Sequence, residues 1–210
     1  MSNPCPLCTH HGEIFYHENN RLFYKCIVCK GIYLDKKLWP NKETEKLRYQ
    51  IHNNDVNDKR YQLFVSPITS AILNKFTLLD KGLDFGAGTG PVISKILQDN
   101  NYTIELYDPY FHDNQILLTK KYNYIACCEV IEHFYNPKKE FHLLKKMLDS
   151  NGKLYCMTDI FDDNIDFHQW YYKNDPTHVF IYQHKTFEWI KREYKFTKVN
   201  IVDRLITFSN

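Results

Sequence analysis

The segment Lys81-Gly-Leu-Asp-Phe-Gly-Ala-Gly-Thr-Gly-Pro91 limits the fold of this 210-residue chain more than any other stretch. Leu83 and Phe85 suit a buried strand, and glycines at 86, 88 and 90 let the backbone turn tightly and approach a ligand. Pro91 suits the first position of a following helix, Val92 to Gln98, because its φ is already helical and its missing N–H would be unpaired there anyway. Strand, glycine turn and helix in that order begin a parallel α/β sheet.

The spacing narrows the ligand. A nicotinamide loop reads G-x-G-x-x-G, whereas here Pro91 takes the third glycine's place, and no Gly-Lys-[Ser/Thr] follows to make a phosphate loop. Asp84, two residues before Gly86, would sit badly beside a pyrophosphate but could meet the cationic portion of an amino acid. Tyr102-Thr-Ile-Glu-Leu-Tyr-Asp108 reads as a second strand, ending in an acid eighteen residues after Gly90 that can hold both hydroxyls of a ribose. Tyr122 to Cys128 reads as a further strand running into the turn Glu129-Val-Ile-Glu-His133. Asn136-Pro137 then caps a helix with Phe141, Leu144 and Leu148 on one face, and Asn151-Gly152 turns the chain into a buried strand, Lys153 to Thr158. Tyr61 to Phe76 reads as a helix interrupted or entered at Pro67.

Together the D-F-G-A-G-T-G loop, Asp108 and the E-V-I-E-H turn resemble class I S-adenosylmethionine-dependent methyltransferases over roughly residues 61 to 208. The resemblance implies a Rossmann-like α/β fold with a mostly parallel sheet. It also implies a C-terminal ending of a helix near Lys185 to Tyr194 and an antiparallel hairpin, Phe196 to Val202 with Arg204 to Phe208. S-adenosylmethionine would lie against Asp84, Gly86, Ala87, Gly88 and Gly90, with Asp108 and Pro109 at the ribose and Cys128 and Glu129 beside it. One departure stands out. Only fifteen residues separate Asp108 from Tyr124, too few for both a crossover helix and another full strand, so that edge of the sheet should be abbreviated. That leaves Asp113 as the candidate for the acid that such enzymes often use at the adenine amino group.

Ahead of this domain, Cys5-Pro-Leu-Cys8 and Cys26-Ile-Val-Cys29 form two C-x2-C pairs seventeen residues apart, the spacing of a zinc ribbon over residues 1–34. Glu13 to Tyr16 and Arg21 to Lys25 read as the strands that bring the pairs together, and His10, His11 and His17 are not needed as ligands. Four thiolates close the coordination shell, so the role is structural or in recognition. With Asp175-Pro-Thr-His178, the whole resembles bacterial zinc-ribbon methyltransferases of the broad type 23 group, whose substrates vary widely. Residues 35–60 read as a solvated linker with a short helix around Glu43 to Tyr49, although Arg48, Tyr49, His52, Asn53 and Asn54 could fold over a cofactor pocket. Residues 61–210 form the methyltransferase domain.

Transfer of a methyl group from a sulfonium is an in-line displacement that needs alignment and water exclusion more than covalent catalysis. An amine or hydroxyl acceptor also needs a base, and His133 and His178 lie at element ends facing the cofactor side. If residues 129–133 form a helical turn, Glu129, Glu132 and His133 share a face and, with His178, could hold a second divalent cation. This E-x-x-E-H pattern resembles metal-dependent methyltransferases of RNA 3′-terminal ribose and quinone precursors, while many relatives carry it without a metal. Cys128-Glu129-Val-Ile replaces the [Asp/Asn]-Pro-Pro-aromatic motif of nucleobase amino methyltransferases, which disfavours that chemistry. Trp170, Tyr171 and Tyr172 are expected to line the acceptor pocket.

The net charge of +2 neither demands nor excludes RNA, leaving a small molecule or RNA as acceptor. The N-terminus shows no leader pattern and no long apolar run appears, so a cytoplasmic location with reduced cysteines and no membrane span is expected. Two competing readings are a zinc-containing sensor with a non-catalytic S-adenosylmethionine-binding domain and, disfavoured by the glycine spacing, a nicotinamide oxidoreductase. Oligomeric state is not written in the sequence.

Overall fold

The computed structural model describes residues 3–51 and 55–210. At the front, β1 (Gly12–Glu18), β2 (Arg21–Cys26) and β3 (Ile32–Leu34) form an antiparallel meander that brings the two cysteine pairs together. The linker is more ordered than its polarity suggests. It carries α1 (Lys42–Ile51), and α2 (Lys59–Lys75) follows. Pro67 neither begins nor interrupts α2; it is exposed, so water can satisfy the carbonyl left without a donor.

The main domain then runs β4 (Lys81–Phe85), α3 (Val92–Asp99), β5 (Thr103–Tyr107), β6 (Tyr122–Cys128), α4 (Pro137–Met147), β7 (Leu148–Met157), β8 (Phe180–Ile181), α5 (His184–Glu193), β9 (Lys198–Val202) and β10 (Leu205–Ser209). Six of these strands make one sheet in the order β5-β4-β6-β7-β10-β9. The first four are parallel, and β10 is antiparallel to both its neighbours, giving the expected C-terminal hairpin. The edge is abbreviated as expected: among the described residues β5 has no outer neighbour, and a short 3-10 turn, Gln115–Thr119, lies between it and β6.

Strand alternation splits the core between the two faces of this sheet. Leu83, Ile125, Leu154 and Ile206 pack with Phe141 and Leu144 of α4 and Phe187 of α5. Tyr124, Ala126, Tyr155 and Met157 pack with Val65, Ile68 and Ile72 of α2 and Ile93 and Leu97 of α3. Asn136 caps α4 as read from sequence, its side chain accepting from the Lys139 N–H. Asn151-Gly152, however, lies inside β7. Tyr122 faces Leu148 and Tyr124 faces Lys153, so the intervening residues of β7 form a bulge rather than a turn between elements.

The front module is not a free-standing appendage. Its sheet has a fourth strand, β8, contributed from the far end of the chain: Ile32 pairs with Ile181 and Tyr33 with Phe180. One face of this small sheet, with Phe23, Ile32, Leu34 and Ile181, covers a cluster containing Phe161, Phe167, Trp170 and Tyr172. Among the described residues no helix is long and apolar enough to cross a membrane.

Candidate functional site

A cavity of about 670 Å³ opens at the carboxyl ends of β4, β5 and β6, the edge where ligands bind in sheets of this type. Phe85 to Thr89, Asp108 and Pro109, and Cys128 to Val130 form one part of its wall. Gly86 and Gly88 hold φ angles of +82° and +62°, which side chains adopt only under strain. A Cβ on Gly86 would fall 2.4 Å from Val130 Cγ2, so glycine there lets the two loops touch. The Gly86 and Ala87 N–H groups donate to the Tyr107 carbonyl (2.8 and 3.1 Å), fixing the loop against β5.

Asp108 is buried at the tip of β5. One carboxylate oxygen accepts from the Gly88 N–H (3.0 Å), and the other accepts from Tyr110 and Phe111 (2.8 and 3.1 Å). It therefore ties the glycine loop to the next loop while bordering the cavity. Asp84 and Gly90 stand behind the wall. The Asp84 carboxylate accepts from the Ser94 hydroxyl on α3 (2.8 Å), and burial pushes its pKa up to about 6. Asp113 is exposed, bonded to Gln115, and does not border the cavity.

The opposite wall comes from α1 and from the loops after β6 and around Asp175. Tyr49, His133 and His178 border the cavity, with His133 ring-to-ring at 5.4 Å from Tyr49 and 4.9 Å from His178. His133 Nδ1 lies 3.0 Å from the Thr177 carbonyl and His178 Nδ1 2.8 Å from the Tyr172 carbonyl. A carbonyl only accepts, so each ring holds its proton on Nδ1 and leaves Nε2 as an acceptor. Burial lowers both imidazole pKa values, that of His178 to about 3.

The four-ligand set that a helical turn over residues 129–133 would give does not form. Glu129 is not on a helical turn: it has φ +51°, and both its carboxylate oxygens lie 2.9 Å from Arg204 Nη2. Donor atoms of Glu132, His133 and His178 do converge, all within 4.8 Å of one another. Glu132 is fully buried and accepts from the hydroxyls of Thr158 and Tyr172, and burial pushes its pKa up to about 7.

The aromatic triplet is placed differently from its sequence reading. Trp170 and Tyr172 are buried beneath the small front sheet, Tyr171 is exposed and donates to Asp159, and none of the three borders the cavity. The residues that take their place are Tyr49, Tyr110 and Tyr135, gathered around Glu45 of α1. Glu45 and Tyr49 stand four residues apart on one helix, the single sequence signal that both could face the same surface. Arg48, one position earlier, holds Asp175 by a forked ion pair. Tyr49 thus borders the cavity, while Arg48 stays partly exposed and reaches the wall only through Asp175; His52, Asn53 and Asn54 lie outside the described residues.

In the front module Cys5, Cys8, Cys26 and Cys29 are all buried, with their sulfurs within 4.8 Å of one another. The pairs Cys5–Cys29 and Cys8–Cys26 are 3.6 and 3.3 Å apart. Sulfurs around tetrahedral Zn²⁺ are about 3.8 Å apart for bonds of about 2.3 Å, so the donor set fits that ion. His10, His11 and His17 are exposed and outside the set.

A parallel sheet with an antiparallel last strand and a cavity at a β4 glycine loop define a Rossmann-like domain of the methyltransferase type. The chain belongs to the methyltransferase-domain family, whose model matches residues 49–201. Solved structures agree in fold. One is the 1,6-didemethyltoxoflavin N1-methyltransferase of Burkholderia thailandensis with bound 1,6-didemethyltoxoflavin and S-adenosylhomocysteine: 11% identity and TM-score 0.53, covering 94% of this chain and 99% of that one. Human N-acetylserotonin methyltransferase in complex with S-adenosylmethionine gives 10% identity and TM-score 0.55, over 80% of this chain and 56% of that one. An O-methyltransferase family protein of Burkholderia thailandensis gives 9% and 0.52, over 79% and 61%. This chain therefore spans about three fifths of the length of the latter two. No curated protein matches the chain in sequence.

Proposed function

We propose that this protein transfers a methyl group from S-adenosylmethionine to a small-molecule acceptor bound under α1. The observation that carries this reading is that one cavity joins the glycine loop and Asp108 to His133, His178 and Tyr49. When bound, the cofactor supplies a methyl group on a positively charged sulfur. The chain supplies the rest. Asp108 presents a carboxylate for the ribose hydroxyls, and the Gly86 to Gly88 backbone allows the methionyl portion to lie close. Cys128 and Glu129 border the reacting end, and Asp84 acts from behind by holding α3 through Ser94.

Nε2 of His133, with His178 packed against the ring, receives the proton that an acceptor hydroxyl or amine loses as its bond to the methyl carbon forms. A cavity of this size, bordered by Glu45 and Tyr49 of α1, suits a small molecule better than RNA. The four cysteines hold a structural Zn²⁺. A second reading adds a divalent cation at Glu132, His133 and His178, supported by their converging donor atoms; equilibrium dialysis against Mn²⁺ with wild type and His178→Ala tests it.

Titration calorimetry with S-adenosylmethionine, S-adenosylhomocysteine and NAD tests the cofactor: binding of the first two and not the third is expected, and no affinity for either sulfur compound overturns the reading. Turnover of labelled S-adenosylmethionine against a small-molecule panel and an RNA panel then separates an enzyme from a sensor.

A further inference from the structure

Five carboxylates border the cavity and differ in how their charge is met; Glu140 stands in the first turn of α4, where the helix N-terminus favours an acid. Asp175 has the Arg48 guanidinium and Glu129 has that of Arg204. Asp108 has three backbone N–H groups. Glu45 is 3% exposed, and among the described residues it has no Lys, Arg or His within ion-pair distance. Its donors are three neutral phenols: Tyr49 to Oε1 at 2.7 Å, and Tyr110 and Tyr135 to Oε2 at 2.6 and 3.0 Å. These bonds orient the carboxylate but do not cancel its charge, and among the described residues three side-chain donors fill three of its roughly four acceptor directions.

The same three tyrosines make the surroundings suit a cation. Glu45, Tyr49, Tyr110 and Tyr135 all border the cavity. The ring of Tyr110 lies 5.9 Å from that of Tyr49, and Trp39 packs at 4.9 Å behind Tyr135, which fixes their orientation. The tyrosines meet the carboxylate through their hydroxyls, so an ammonium there would find the buried negative charge together with phenol oxygens that can also accept. We propose that Glu45, framed by Tyr49, Tyr110 and Tyr135, is a subsite for a protonated amine carried by the methyl acceptor. This rests on the reading of the cavity as a methyl-transfer site, and it makes the acceptor an amine-bearing small molecule rather than an anionic one. Glu45 precedes the region shared with the methyltransferase-domain family, as a determinant of acceptor choice can.

The test uses the full chain loaded with S-adenosylhomocysteine and two probes of equal shape, tyramine and 4-propylphenol, which differ in carrying an ammonium or a methyl group. Calorimetry should show tyramine binding at least about tenfold tighter, equivalent to about 1.4 kcal/mol. Glu45→Gln, which can still accept from the tyrosines, should abolish that preference and leave 4-propylphenol within about twofold. Tyr110→Phe, which keeps the ring and the charge, should retain it. Equal affinities in wild type, or a preference that survives Glu45→Gln, overturn the proposal. Loss of S-adenosylmethionine or S-adenosylhomocysteine affinity in Glu45→Gln also overturns it, by giving the carboxylate to the cofactor's own amino groups. Failure of wild type to bind S-adenosylhomocysteine strikes the cofactor reading instead.

Discussion

Leu34 donates its backbone N–H to the carbonyl of Val179 across 3.0 Å, joining the last strand of the cysteine module to the residue that follows His178. Val179 in turn donates to the Glu132 carbonyl at 3.0 Å, and Arg21 of β2 donates to the carbonyls of Asn174 and Asp175. The loop carrying Asp175, Thr177 and His178 is thus clamped by a segment that the family model does not include.

Disrupting the metal set should therefore be felt at the cavity. Cys26→Ser, or chelation of the wild type, is expected to raise amide exchange at Val179 to Ile181 along with residues 5–34, because zinc binding supplies much of such a module's folding energy. Exchange confined to residues 5–34 would show that the clamp holds without the metal.

The glycine loop separates two kinds of backbone requirement. Gly86→Ala meets both a left-handed φ and the Val130 side chain, so S-adenosylhomocysteine affinity should fall at least about tenfold. Gly88→Ala meets open space and costs only the strain of its φ, about 1 kcal/mol of stability. Calorimetry and thermal melting on both variants rank them; a Gly88→Ala loss as large as that of Gly86→Ala would contradict this account.

Stability should fall as pH rises from about 5 to 8. Burial, offset in part by Ser94, raises Asp84 to about 6; burial with like-charge repulsion from Glu132 raises Glu129 to about 8; and burial raises Glu132 to about 7. Across this window the three raised carboxyls hold more protons folded than unfolded, whereas His133 and His178, lowered by burial, hold fewer below about pH 6.5 and oppose them. The carboxyls outnumber the imidazoles, so the net slope of unfolding free energy with pH is negative and shallow. Asp175, lowered by Arg48 and Thr177 against the cost of burial, contributes above the unfolded carboxylate range and adds no slope here. Urea midpoints should drop by the equivalent of about 1–3 kcal/mol, and Asp84→Asn should flatten the portion between pH 4 and 6.

Trp170 and Tyr171 should behave oppositely although adjacent. Trp170→Ala empties part of the aromatic cluster under the front sheet and should cost about 3–5 kcal/mol of stability. Tyr171→Ala, at 63% exposure, should change stability by less than about 0.5 kcal/mol. Neither should change acceptor affinity while the protein is folded, which calorimetry with tyramine checks.

The glycine-loop side of the cavity was legible in the chain because it is local. Gly86, Gly88 and Asp108 act through backbone geometry and strand ends, which sequence spacing encodes directly, and two C-x2-C pairs state a ligand set by composition alone. The short interval from Asp108 to Tyr124 likewise announced the missing edge strand. The acceptor side was not legible, since its parts meet only by folding. Glu45 looks like a linker residue until α1 packs across the cavity, and Glu129 looks like a ligand until Arg204 arrives from the β9–β10 turn. Trp170 and Tyr172 looked like a pocket because aromatic rings serve cores and ligands equally, and only the β3–β8 pairing shows which surface they cover. Sequence by itself determined the succession of strands and helices, the glycine loop and the cysteine pairs, all written in short-range periodicity and spacing. Tertiary structure decided which charges are paired and which wall each ring lines, because burial and ion pairing depend on residues distant in the chain.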